Sequence, residues 1–258
     1  MGRSKTLNVV GIIPARYDST RLLGKALMDI CGKPMLWWVY QQVIKSKKIN
    51  NVYAAIDNEQ IEELCKEYSI PYIMTRNQHP TAANRLQEVS EQIRADFYVQ
   101  INGDEPLIDV HSVDRAIPED VPRDEEFGTN IVTQIHDPEL VVDASNIKVV
   151  FDNKQNILYM SRTPIPYPFK SIDYSYYKHV GILGYNKKML DFYKNSKPGK
   201  LELIEGIDTL RFLDYGKTLK AIEVEQYESL SVDTMKDLEY VRGIVGKNLS
   251  RSNVYLEN

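Results

Sequence analysis

Two periods of hydrophobicity alternate along the chain, and the switches between them predict its elements. Val9-Val10-Gly11-Ile12-Ile13-Pro14 is a continuous apolar run, the pattern of a strand covered on both faces. From Met35 to Ser46 the apolar positions Leu36, Val39, Tyr40 and Val43 fall at helical spacing. Val52 to Ile56 returns to a short strand, Glu59 to Tyr68 to an amphipathic helix, and Tyr72 to Met74 to a strand. A loop over Asn77 to Asn84 leads to a helix beginning near Arg85, and Phe97 to Ile101 is a fourth strand. Repeated strand–helix alternation predicts an α/β fold, a mostly parallel sheet flanked by helices.

The second half has a different rhythm. A helix starts at Val110, the acidic, proline-bearing stretch Pro118 to Glu126 is a surface loop, and strands follow at Asn130 to Ile135, Ile147 to Phe151, Ile157 to Met160 and Val180 to Tyr185. Residues 132–185 are therefore expected as a smaller β-rich lobe within a single domain spanning 1–258. Helices over Lys187 to Lys194 and Leu201 to Leu213, a last strand at Leu219 to Val224 and a helix from Met235 to Val245 complete the pattern.

Composition narrows the function. The 258 residues carry a net charge of −4, which argues against a nucleic-acid partner, since duplex phosphates need a sizeable basic surface. Any positive charge must be focused. Cys31 and Cys65 lack metal-ligand spacing and read as two free thiols of a reducing cytoplasm. The polar start from Met1 to Thr6 lacks the apolar segment of a secretory signal, and no run approaches the ~20 apolar residues of a membrane span. A cytoplasmic protein without a membrane partner is the expectation.

The focus of charge is the loop into which the first strand empties, Ala15-Arg16-Tyr17-Asp18-Ser19-Thr20-Arg21-Leu22-Leu23-Gly24-Lys25. Open α/β sheets bind ligands at the carboxyl ends of their strands. Arg16, Arg21 and Lys25, interleaved with hydroxyls, suit a polyphosphate, although the same residues would also make a plain solvated loop. The glycine spacing is not a dinucleotide fingerprint, and Ala26 after Gly24-Lys25 excludes a P-loop. The fourth strand ends in Asn102-Gly103-Asp104-Glu105-Pro106, where Asp104 is either a hard-cation ligand or a turn aspartate bonding its own backbone. Val232-Asp233-Thr234 opens the last helix, and either Asp233 or Thr234 can serve as its N-cap.

Taken in order, these stretches resemble the CMP-Kdo synthetase (3-deoxy-manno-octulosonate cytidylyltransferase) family of sugar nucleotidyltransferases. The match is carried by the first loop, by Gly103-Asp104-Glu105-Pro106, by Asn146-Ile147-Lys148-Val149-Val150, by Ser161-Arg162, by His179-Val180-Gly181-Ile182 and by Ser231-Val232-Asp233-Thr234. The resemblance implies a Rossmann-like sheet of the nucleotide-diphospho-sugar transferase type and transfer of CMP from CTP to a small acidic acceptor, with release of pyrophosphate. It implies that Ala15, Arg16, Ser19, Thr20, Arg21, Lys25, Thr75, Arg76 and Arg85 surround the nucleotide, that Arg16, Lys25 and Asp104 act in catalysis, and that Asp104 and Asp233 hold Mg2+. It also implies a homodimer paired through the β-rich lobe, where the tyrosine-rich Ile172 to Tyr185 suits an interface.

Departures from the family cluster on the acceptor side. Leu23 and Ala26 replace prolines, and Thr81-Ala82-Ala83-Asn84-Arg85 stands where the family has Ser-Gly-Thr-Glu-Arg. Among the implied acceptor contacts Arg162 and His179 are kept, while Asn102, Leu183, Asp208 and Thr209 differ. The expected acceptor is Kdo or a related 3-deoxy-ulosonic acid, as in lipopolysaccharide or capsule biosynthesis. A smaller anion such as a phosphonate or phosphate ester is the alternative, and a catalytically inactive nucleotide-binding regulator is the rival from another class.

Overall fold

A computed structural model describes residues 7–18, 22–225, 227 and 230–254. Strand β1 (Val9–Ala15) lies at the centre of the sheet, with Val9, Ile13 and Ala15 packed on one side and Val10 and Ile12 on the other. A small antiparallel pair, β2 (Asp29–Ile30) and β3 (Lys33–Pro34), leads into α1 (Met35–Val43), β4 (Asn51–Ile56), α2 (Glu59–Glu67) and β5 (Tyr72–Met74). Helix α3 (Ala82–Gln92) then carries the chain back to β6 (Phe97–Ile101) and α4 (Val110–Arg115). Helices α1, α2 and α4 cover the first face through Leu36, Val39, Ile61, Leu64 and Val113, and α3 covers the second through Ala83, Leu86 and Val89. Each of the leucine, isoleucine and valine side chains contributes about 1.5–3 kcal/mol on full burial.

The strand order places the site. From β1 the chain steps outward through β4 and β5, then crosses to the other side of β1 to form β6, and all four strands are parallel to their neighbours. The crevice above β1 and β6 is therefore the point where the winding reverses, the position at which open α/β sheets bind ligands. Gly103 lets the turn after β6 close on β1, because a Cβ there would lie 2.8 Å from the Pro14 carbonyl oxygen.

The second half adds β7 (Gly128–Ile135), α5 (Pro138–Val142), β8 (Lys148–Phe151), β9 (Ile157–Ser161) and β10 (Tyr176–Tyr185). After them come α6 (Lys187–Asn195), α7 (Lys200–Glu205), α8 (Leu210–Asp214), β11 (Leu219–Val224) and α9 (Met235–Val254). The nine-stranded sheet runs β11-β7-β10-β6-β1-β4-β5, with β10 antiparallel to both of its neighbours in that row. Of the stretch 132–185, β7 and β10 are strands of this main sheet, whereas β8 and β9 extend from β10 as an antiparallel arm.

Several element limits differ from the sequence pattern for identifiable reasons. The single helix expected over Leu201 to Leu213 is two, because Gly206 ends α7 in the left-handed conformation at φ 63°. Arg211 rejoins the halves: its Nε and Nη2 donate to the Glu202 carboxylate at 2.7 and 2.6 Å, and its guanidinium stacks 3.8 Å from the Tyr193 ring centre. Helix α3 starts at Ala82 rather than near Arg85, since Thr81 Oγ1 caps it by accepting from the Asn84 N–H at 3.2 Å. Strand β10 begins at Tyr176 instead of Val180, and α9 continues past Val245 to Val254. Asp137 followed by Pro138 starts the short α5, which the pattern did not predict.

A third apolar cluster ties the chain ends together. Leu22, Ile30 and Met35 pack against Val232, Leu238, Val241 and Val245, so α9 is docked beside the first loop. Among the described residues no helix is long and apolar enough to cross a membrane.

Candidate active site

A cavity of about 250 Å³ opens over the carboxyl ends of β1 and β6. Ala15 and Arg16 form one wall with Lys25 and Ala26, and Asn102, Gly103 and Asp104 form the next. The segment His79 to Ala82 with Arg85 and, from the far end of the chain, Asp233 complete it.

The centre of the cavity is an ion triad. Lys25 Nζ donates to Asp104 Oδ2 at 3.0 Å and to Asp233 Oδ1 at 2.9 Å. The lysine side chain is 13% exposed and each carboxylate 25%. Local structure fixes all three partners. Gly24 N–H bonds the Tyr17 carbonyl at 2.9 Å to close the first loop, and the Val232 N–H donates to the Asp104 carbonyl at 2.9 Å, stapling the two acidic turns together. The capping question at Asp233 resolves in favour of its neighbour. Thr234 Oγ1 accepts from the Asp237 N–H, and Asp237 accepts in return from the N–H groups of Asp233 and Thr234, which leaves the Asp233 carboxylate to face Lys25. Burial raises the Asp237 pKa, but those hydrogen bonds outweigh it and hold the carboxyl below its ordinary value.

Asp104 Oδ1 is buried and has no hydrogen-bond partner among the described residues. A buried carboxylate oxygen without a partner is costly, and two carboxylates converging on one cation-sized point are a fitting donor set for a hard divalent ion. The described residues hold no cluster of three or more His, Cys, Asp or Glu suited to a metal, so an ion here would take its remaining oxygens from ligand and water.

The other expected nucleotide residues divide. Arg16 is exposed on the cavity wall. Arg85 also lines it but is only 3% exposed, and its Nη2 donates to Asp57 Oδ2 at 2.6 Å while Nη1 bonds Thr75 Oγ1. Asp57 Oδ1 in turn accepts from the Tyr17 N–H at 3.0 Å, so Arg85 braces the first loop from beneath. Thr75 is buried, with its hydroxyl on the Ile56 carbonyl at 2.8 Å, and Arg76 is exposed beside Glu88; neither lines the cavity. Ser19, Thr20 and Arg21 lie outside the described residues. His79 lines the cavity and bonds Glu88, and sequence reasoning missed it because a lone histidine in an aperiodic loop carries no signal.

On the acceptor side only Asn102 lines the cavity. Arg162 is held by backbone carbonyls: Nε donates to Glu205 O at 2.8 Å, Nη1 to Ala144 O at 2.9 Å and Nη2 to Gly206 O at 3.3 Å. His179 Nδ1 is 2.9 Å from Asn130 Oδ1. The Asn130 amide nitrogen already donates to the Val180 and Ile182 carbonyls, filling an irregularity in β10, so Nδ1 carries the proton. Burial pushes the His179 pKa down to about 4, which keeps the imidazole neutral near pH 7. Leu183 is 2% exposed in the second core cluster. Burial, and then the charge of Glu202, raise the Asp208 pKa, and Thr209 is buried with its hydroxyl 3.2 Å from Met160 Sδ.

A cation-bridged acidic pair beside an arginine, at the reversal point of a mostly parallel sheet, defines an α/β enzyme that handles a polyanion. Comparison with known proteins sharpens the class. A family model described as cytidylyltransferase matches residues 10–222. The 3-deoxy-manno-octulosonate cytidylyltransferase of Solibacter usitatus is 37% identical over 90% of this chain and 92% of its own length. The 8-amino-3,8-dideoxy-manno-octulosonate cytidylyltransferase of Shewanella halifaxensis is 34% identical over 90% and 96%. A solved structure of CMP:2-keto-3-deoxy-manno-octonic acid synthetase complexed with CTP superposes with a TM-score of 0.86 at 34% identity, covering 93% of this chain and 99% of that one. The chain belongs to the cytidylyltransferase family and is an enzyme of that kind.

Proposed function

We propose that this enzyme transfers CMP from CTP to a 3-deoxy-manno-octulosonate, bearing either a hydroxyl or an amino group at its eighth carbon, and releases pyrophosphate. The observation that carries the reading is the Lys25 ammonium bridging Asp104 and Asp233 beside Arg16. The names of the relatives supply the acceptor class. An oxygen of the acceptor attacks the α-phosphorus, the new phosphorus–oxygen bond forms, the bond between the α and β phosphates breaks, and pyrophosphate leaves. Such transfers need positioning and charge neutralisation rather than a covalent enzyme intermediate.

Arg16 and Lys25 hold the triphosphate and take up charge on the leaving group. Asp104 and Asp233 are the residues that would hold Mg2+, which when bound would neutralise phosphate charge and lower the pKa of the attacking hydroxyl. Arg85 works indirectly by keeping the first loop in register through Asp57. The two free cysteines, Cys31 and Cys65, accord with a cytoplasmic enzyme.

We also infer a homodimer. Tyr167, Phe169 and Ile172, between β9 and β10, are 82%, 84% and 93% exposed, and a second copy of this chain would cover them. The test of function is pyrophosphate release from CTP with Kdo, its 8-amino counterpart and a small phosphate ester, each with and without excess chelator. Turnover of at least one octulosonate, abolished by chelator, is expected. Turnover of the phosphate ester alone overturns the acceptor class, and full activity in chelator overturns the metal site.

A further inference from the structure

We propose that Lys25 holds the place of the divalent cation in the free enzyme, so that the site takes up metal only together with nucleotide. The inference rests on the metal site proposed above and adds an order of events to it. Lys25 Nζ lies within hydrogen-bond distance of both candidate ligands, at 3.0 Å from Asp104 Oδ2 and 2.9 Å from Asp233 Oδ1. An ion held through Asp104 Oδ2 and Asp233 Oδ1 would compete with the ammonium for both oxygens. In a part-buried site, where screening by water is weak, an ammonium and a dication do not share one pair of oxygens. One of the two has to leave.

The charges of the site identify what moves the lysine. With Lys25 in place the triad carries a net charge of −1, the sum of two carboxylates and one ammonium, and the wall adds Arg16. A divalent ion arriving alone must evict the ammonium into a cavity that offers it no other anion among the described lining residues. A triphosphate brings that anion with it. Lys25 can then exchange a carboxylate pair for phosphate oxygens, and the vacated oxygens accept the ion. The same exchange turns Lys25 toward the group it must stabilise. Asp104 Oδ1, buried and without a partner, is poised to join the ion once Oδ2 is released.

The experiment is binding of Mn2+ alone, read by the loss of its free electron paramagnetic resonance signal, to the wild-type protein and to Lys25→Met. Wild type should bind weakly without nucleotide, and Lys25→Met, which keeps an unbranched stem but takes the ammonium away from both carboxylates, should bind at least tenfold more tightly. If Lys25→Met does not fold, Lys25→Gln replaces it, with thermal melting as the check on folding. Equal affinity for Mn2+ alone in wild type and a folded variant overturns the place-holder inference and leaves the metal site standing. Absence of Mn2+ binding to every form, including wild type with CTP beyond what free CTP takes up, overturns the metal site itself, and the inference with it.

Discussion

The nucleotide edge and the acceptor side of this enzyme use similar residue types in opposite ways. At the edge, Lys25 bonds both Asp104 and Asp233, Arg16 stands exposed, and Asp104 Oδ1 has no partner among the described residues. On the acceptor side polar groups are committed to the protein itself: Arg162 to three backbone carbonyls and His179 to the Asn130 side chain. A charge bonded to other charges in an open cavity is available for exchange with a ligand. A charge bonded to backbone carbonyls holds a loop in place, and removing it leaves those carbonyls unsatisfied. The two regions therefore differ in what a mutation there should do.

The largest effect is expected at the edge. Lys25→Ala should lower turnover by two or more orders of magnitude, the scale of losing one charge-stabilising donor, with the melting temperature little changed. Steady-state kinetics on a folded variant decides this, and wild-type turnover would reduce the first loop to a surface turn. A middle-sized effect of the other kind is expected at Arg162. Arg162→Ala should destabilise the fold by about 1–3 kcal/mol, since carbonyls of Ala144, Glu205 and Gly206 lose their donor. If denaturant titration shows no loss while the acceptor KM rises tenfold, Arg162 is a substrate contact and the contrast between the two regions fails.

The smallest effect is a pH dependence. The folded-state pKa of His179 is depressed to about 4 from the ordinary 6.5, so the unfolded chain binds the extra proton first. Its contribution to stability is complete above pH 6.5 and is lost as pH falls toward 4. Melting curves across that window should fall less steeply for His179→Gln than for wild type. Parallel curves would mean that the imidazole is not desolvated as described.

The same distinction explains what could be read from the sequence. The run from Val9 to Pro14 and the strand from Phe97 to Ile101 announced themselves because burial on both faces leaves a local trace. Arg16, Lys25 and Asp104 were legible by type, as charges at the exits of those strands. Gly206 was not legible as a break, since the apolar spacing around it remains helical on both sides. Whether Arg162 meets a ligand or a backbone group depends on segments distant in sequence, and residue type alone does not encode it. Glu202 and Arg211 serve a buried ion pair that holds α7 to α8, which residue type alone does not announce either.

The docking of α9 against the first loop has a consequence in time. Lys25 and Asp233 are separated by 208 positions, and Val232, Leu238, Val241 and Val245 complete the apolar cluster that begins at Leu22. At roughly 5–20 residues per second, a ribosome makes the lysine about 10–40 s before the aspartate. The acidic pair around Lys25 is therefore complete only once the segment carrying Asp233 has been made. The clasp between the first loop and the last helix is thus the latest part of this site to be made, 208 positions behind the lysine it holds.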